Sequence, residues 1–104
     1  MMQSAQWTVP HHHPAFAGHF PGTPIVPGVL LLDAVLHCIA AATGIAMDTC
    51  EISLVKFLSP AGPGDELVIQ HALSAHGSIS FDVLAGTRKI VTGLIVPRVP
   101  SVPR

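Results

Sequence analysis

The residues best suited to chemistry lie close together in the segment GHFPGTPIVPGVLLLD, residues 18–33. His19 carries an imidazole that titrates near neutrality and can take or give a proton. Its loop loses backbone freedom at Pro21, Pro24 and Pro27, and a rigid loop positions a catalytic group well. Asp33 places a carboxyl about one and a half turns inside an apolar helix. Gly28, directly after Pro27, offers an unpaired amide at that helix's N-terminus, where the helix dipole favours negative charge. Together they supply a base, an acid and a donor for the partial negative charge that grows on an acyl oxygen as the neighbouring proton leaves.

Each of these residues also admits a plainer role. His19 can be a loop histidine bonded to a backbone carbonyl, and Gly28 can simply begin a helix. A purely structural Asp33 is the weaker reading, because a lone acid in an apolar helix is costly unless paired. His37, one turn after Asp33 on the same face, either holds a structural hydrogen bond or tunes the acid. Burial among apolar residues favours a neutral, hydrogen-bonded Asp33–His37 pair over a charged one. No metal site is expected: His11, His12 and His13 would point alternately to opposite faces of an extended segment, and no Cys/His partner follows at a finger spacing. His71 and His76 read as partly buried or turn residues, and Ser53, Ser78 and Ser80 lack the Gly-x-Ser-x-Gly setting of a hydrolase nucleophile. Cys38 and Cys50 have no metal-type spacing and read as reduced core cysteines, with a disulfide as the minor alternative.

The elements that must position these groups are legible in the punctuation. From Gly28 to Thr43 an Ala/Leu-rich run follows Pro27 and is closed by Gly44, which predicts a helix about 24 Å long. Because it is apolar nearly all round, apart from Asp33 and His37, it is expected to be a buried core helix wrapped by a curved sheet. Four β-like runs supply that sheet: Cys50–Leu58, Glu66–Ala75, Ser78–Ala85 and Lys89–Val96, with a possible short strand around Gln6–Val9. Their short separators require antiparallel neighbours, since a parallel crossover needs a dozen or more residues. The run from Ile90 to Val96 is apolar on both faces except at Thr92 and Gly93, which predicts a central or interface strand.

Composition narrows the function classes. The 104 residues suit one domain, 1–104, and with 49% hydrophobic and 11% charged residues the chain is short of polar surface for a monomer. Self-association is the expected remedy. A net charge of -1 and the scattered Lys56, Arg88, Lys89, Arg98 and Arg104 give no basic stripe for a nucleic acid. The N-terminal residues lack a basic segment followed by an apolar run, so a cytoplasmic protein is expected. Pro27-Gly28, Asp33 and His37 interrupt the most apolar stretch, residues 25–47, and argue against a membrane span.

The segment GHFPGTPIVPGVLLLDAV resembles the signature of the hot-dog-fold 3-hydroxyacyl-acyl-carrier-protein dehydratases of the FabZ/FabA type, and VKFLSPAGPGDEL, from Val55, is similar to the family's second conserved stretch. The resemblance runs from about Phe16 to Leu67. It implies an α+β hot-dog fold, an antiparallel sheet around one long central helix. It also implies that His19 and Asp33 form the catalytic pair, contributed by different subunits of a homodimer. The thioester-binding amide falls on Gly28 and the carbonyl that orients the histidine on Ile25, while Phe20, Pro27 and His37 belong to the substrate-binding side. The implied chemistry is removal of a C2 proton by His19 and protonation of the departing 3-hydroxyl by Asp33, giving a trans-2-enoyl thioester. No cofactor is implied beyond the phosphopantetheine arm of an acyl carrier protein, the expected partner, which Arg88, Lys89 or Arg98 could meet. Asp at the acid position resembles the FabA type, whose chains are longer, whereas the FabZ type usually has Glu, and both usually place Gln where His37 stands. A compact Asp-bearing chain is similar to the dehydratases of polyene-pigment and other specialised acyl pathways. Thioester hydrolysis on the same fold, and a non-catalytic acyl-binding subunit of a heteromer, are the alternative readings.

Overall fold

A computed structural model describes residues 2–10, 26–47 and 50–97. The elements run in the order β1 (Met2–Thr8), α1 (Gly28–Thr43), β2 (Cys50–Phe57), β3 (Glu66–Leu73), β4 (Ile79–Ala85) and β5 (Arg88–Pro97). The strands make one five-stranded antiparallel sheet in the order β1-β3-β4-β5-β2. The helix has the expected bounds, with Pro27 as N-cap and Gly44 in the left-handed conformation (φ 74°) donating its amide to the Ala40 carbonyl. The N-terminal strand is longer than the sequence suggests and begins earlier, because seven consecutive residues pair with β3 from Met2↔Ala72 to Thr8↔Glu66. No helix among the described residues is long and apolar enough to cross a membrane.

Alternation places the core on one face of the sheet. Leu67 and Ile69 of β3, Ile79, Phe81 and Val83 of β4, and Val91 and Ile95 of β5 are buried, and they pack with Leu31, Val35 and Ile39 of α1. Full burial of each such side chain is worth roughly 1.5–3 kcal/mol. Ile90 is also buried although it adjoins Val91, because the ladder skips it: Val83 faces Val91, and Leu84 faces Lys89. This bulge turns the Ile90 carbonyl to the loop after β2, where it accepts from the amides of Leu58 (2.8 Å) and Ser59 (3.3 Å). As the apolar pattern indicated, β5 is interior, flanked by β4 and β2.

Two expectations need correction. The helix is not wrapped on all sides: Leu31, Ala34, Val35 and Ile39 are buried, but Val29 is 81% exposed and Asp33, His37, Ala41 and Ala42 also face outward. One sheet face can cover only one side of a cylinder, and this chain has no second layer among its described residues. His71, read as partly buried or at a turn, is 2% exposed on the core face of β3. Cys38 and Cys50 are free and half-buried, and burial raises the Cys38 thiol above its usual pKa.

Candidate active site

The start of α1 is a helix end held from outside. The Val26 amide donates to the Ala61 carbonyl at 2.7 Å, which ties the segment entering the helix to the loop between β2 and β3. The first intrahelical bond runs from the Leu31 amide to the Pro27 carbonyl, leaving the Gly28 amide without a partner among the described residues. A Cβ built on Gly28 would lie 2.9 Å from Phe57 Cζ, so the Phe57 ring rests over the helix start in space that only glycine leaves open. Val26, Gly28, Leu31, Phe57, Leu58, Ser59, Pro60 and Ala61 line a cavity of about 420 Å³ there. An acyl oxygen in it would meet an unpaired amide at the positive end of a helix dipole, between largely apolar walls.

Asp33 stands about 7.5 Å further along the helix axis. It lines a second cavity of about 470 Å³ with Leu36, His37, Ala40 and Met47, on the side of α1 that the sheet leaves uncovered. The expected burial of the acid is not found within one chain: the side chains of Asp33 and His37 are 63% and 77% exposed. Nor is their link a carboxyl–imidazole hydrogen bond in a dry site. His37 Nδ1 donates to the Asp33 main-chain carbonyl at 2.8 Å and lies 3.4 Å from Asp33 Oδ2. The carbonyl one turn back is the nearer acceptor, and fixing the proton on Nδ1 leaves Nε2 of a neutral ring as an acceptor toward the cavity.

His19, Phe20 and Ile25 lie outside the described residues. Of the other expected site residues, Pro27 caps the helix at whose start Gly28 opens onto the first cavity, and Asp33 and His37 share the second. Sequence reasoning gave no role to Phe57 or to the loop that follows it. Both belong to the VKFLSPAGPGDEL stretch, but only the folded chain brings that stretch onto the helix N-terminus. Arg88 and Lys89 are both engaged: Arg88 bonds to the Ser59 hydroxyl and the Pro60 carbonyl, and Lys89 Nζ is 3.7 Å from Asp82 Oδ1. Arg98 lies outside the described residues.

Comparison with known proteins agrees with this architecture. A model of ApeI-like proteins, described as ApeI dehydratase, matches residues 2–94. The chain is 34% identical over 102 residues to the 3-hydroxyacyl-[acyl-carrier-protein] dehydratase FabZ of Chlamydia trachomatis, an alignment covering 86% of this chain and 67% of that protein. To the FabZ of Ehrlichia chaffeensis it is 39% identical over 66 residues, covering 59% of this chain and 46% of that one. Among solved structures, the dehydratase heterocomplex ApeI:P from Xenorhabdus doucetiae superposes with a TM-score of 0.74 at 26% identity, covering 91% of this chain and 85% of that chain. The fluoroacetyl-CoA thioesterase FlK, at a TM-score of 0.68 and 16% identity over 93% of this chain and 86% of that chain, shares the fold alone. The antiparallel sheet against one long helix is thus the hot-dog fold, and with a family match that runs from β1 into β5 this chain belongs to the ApeI-like dehydratases.

Proposed function

We propose that the chain removes water from 3-hydroxyacyl thioesters carried on an acyl carrier protein and releases the trans-2-enoyl thioester, in fatty-acid or polyene-type acyl biosynthesis. The observation that carries this reading is the Gly28 amide at the start of α1, without a partner among the described residues, in a helix that also bears Asp33, within a chain matched to dehydratases over residues 2–94. Gly28 N–H stabilises the charge on the thioester oxygen while neutral His19 takes the C2 proton; the C2 electron pair forms the C2–C3 double bond, and Asp33 protonates the 3-hydroxyl as it leaves as water. Phe20, Ile25, Pro27 and His37 belong to the substrate-binding side. This acid–base sequence needs neither a metal nor an organic cofactor beyond the carrier's phosphopantetheine arm. Incubation with a panel of 3-hydroxyacyl carrier-protein thioesters should give a mass loss of one water and enoyl absorbance. Release of free thiol would identify a hydrolase, and carrier binding without turnover a non-catalytic subunit.

A second copy of the chain completes the site in this reading. The uncovered side of α1, with Val29 81% exposed and Asp33 open to solvent, needs a second layer, and β2 is a sheet edge that exposes Ile52, Leu54 and Phe57, followed by the exposed Leu58. An edge strand that exposes apolar side chains favours pairing with another strand. A homodimer, with His19 of one protomer meeting Asp33 of its partner, covers these surfaces. Light scattering of the purified chain should give twice its 10.9 kDa mass. A stable monomer would instead favour a related but different chain as partner, since the Xenorhabdus relative is a heterocomplex.

A further inference from the structure

Arg88 begins β5 and is far in sequence from every residue assigned to the reaction, yet it holds the wall of the cavity at the helix N-terminus. Its Nη1 donates to Ser59 Oγ and to the Pro60 carbonyl, both at 2.8 Å. Its Nη2 lies 3.8 Å from Asp65 Oδ2, and the same carboxylate oxygen accepts the Gly62 amide at 2.8 Å. Ser59 and Pro60 line the cavity beside Gly28, and the next residue, Ala61, supplies the carbonyl that holds the Val26 amide. A continuous path of hydrogen bonds and backbone therefore runs from the guanidinium through residues 59–61 to the segment that enters α1. Backbone bonds hold the two ends of this loop, from Leu58 and Ser59 to the bulged Ile90 carbonyl and between Val9 and Gly64 and Asp65, and the Arg88 bonds grip the stretch between them at Ser59 and Pro60.

We infer that Arg88 is a positioning residue for the dehydration: by gripping Ser59 and Pro60 it fixes the cavity wall and, through Ala61 and Val26, the free Gly28 amide. The inference rests on the dehydratase reading of this site. Its alternative is that Arg88 serves as a positive charge for docking the acidic carrier, and substrate choice separates the two. The 3-hydroxyacyl thioester of N-acetylcysteamine has no carrier to dock. Arg88→Ala should lose kcat/KM on this small substrate and on the carrier-bound substrate alike, on the order of tenfold to a hundredfold, the scale of a misplaced catalytic group. Lys89→Ala, which removes the adjacent charge without touching the loop, should leave the small-substrate rate unchanged. Arg88→Lys, which retains donors for the same acceptors, should recover part of the loss, and Ser59→Ala combined with Arg88→Ala should cost little more than Arg88→Ala alone. If Arg88→Ala does not fold, Arg88→Lys and Ser59→Ala on the small substrate make the same comparison, each with an intermediate loss. Full activity of the Arg88 variants on the small substrate with a loss confined to the carrier-bound one, or strict additivity with Ser59→Ala, would overturn the inference. A wild-type chain that releases no water from either substrate would instead overturn the function on which the inference rests.

Discussion

His71 is the residue least matched to its surroundings. It is 2% exposed among the core residues of β3 and β4, and its Nε2 has no hydrogen-bond partner among the described residues. Burial pushes its pKa below the usual 6.5, because the charged ring is poorly solvated there. The unfolded chain then binds a proton that the folded chain refuses, so stability is highest above about pH 6.5 and falls as pH drops below it, toward the lowered folded pKa. Thermal denaturation between pH 7.5 and 5 should show this slope, and His71→Leu should remove it. The same substitution should stabilise the protein at pH 7 by about 1–3 kcal/mol, the usual cost of a buried unsatisfied polar group; a lower melting temperature for His71→Leu would show that the ring makes a bond worth keeping. At the proposed catalytic positions, His19→Ala and Asp33→Ala should each reduce dehydration by at least about 100-fold without unfolding the chain. His37→Gln keeps a donor for the Asp33 carbonyl, so it should retain activity and mainly displace a limb of the pH–rate profile. A loss as large as that of His19→Ala would place His37 among the catalytic groups.

Two glycines show how tightly the elements approach one another. Gly93 of β5 lies opposite Phe81 of β4, and a Cβ there would fall 2.6 Å from the Leu54 carbonyl oxygen and 2.6 Å from Phe81 Cζ. One obstacle is backbone and cannot turn aside, so Gly93→Ala should destabilise by roughly 1–3 kcal/mol or more, read as a lower urea midpoint. Phe81→Leu in the same chain should recover only part of that loss, since the carbonyl stays where it is. At Gly28 the obstacle is the half-exposed Phe57 ring, which can swing outward. Gly28→Ala should therefore cost little stability while opening the cavity wall and lowering turnover. Equal loss of stability at the two positions would show that Phe57 is held as firmly as the sheet.

At the scale of the whole molecule, the uncovered side of α1 and the apolar β2 edge dominate. Mixing His19→Ala with Asp33→Ala protein under subunit exchange should regenerate one intact site in each heterodimer, seen as recovered enoyl formation. No recovery after demonstrated exchange would put both residues to work within one chain. Leu54→Lys adds a charge to the exposed edge without entering the core and should shift the assembly toward monomer, with activity falling in parallel. Retained activity in a monomeric Leu54→Lys protein would mean that one chain holds a complete site.

Local punctuation and alternation determined the elements: Pro27 and Gly44 bracket α1 to the residue, and the short separators made the sheet antiparallel. The spacing of Gly28 and Asp33 was likewise legible, because they share one helix whose geometry follows from chain distance alone. Exposure was not legible in the same way. The apolar character of α1 on all sides reads as burial, but how much is covered depends on the layers available, and one sheet covers one side. His71 and Leu73 both follow the alternating pattern of β3, yet which of these late positions is covered by other atoms is decided by the end of the helix and by β1 and β4, and His71 is buried while Leu73 is exposed. The Phe57–Gly28 contact and the grip of Arg88 on residues 59 and 60 join segments distant in sequence through a bulge at Ile90. No periodicity encodes such meetings, because they depend on sheet order and on where the ladder slips by a residue, and those are properties of the tertiary structure.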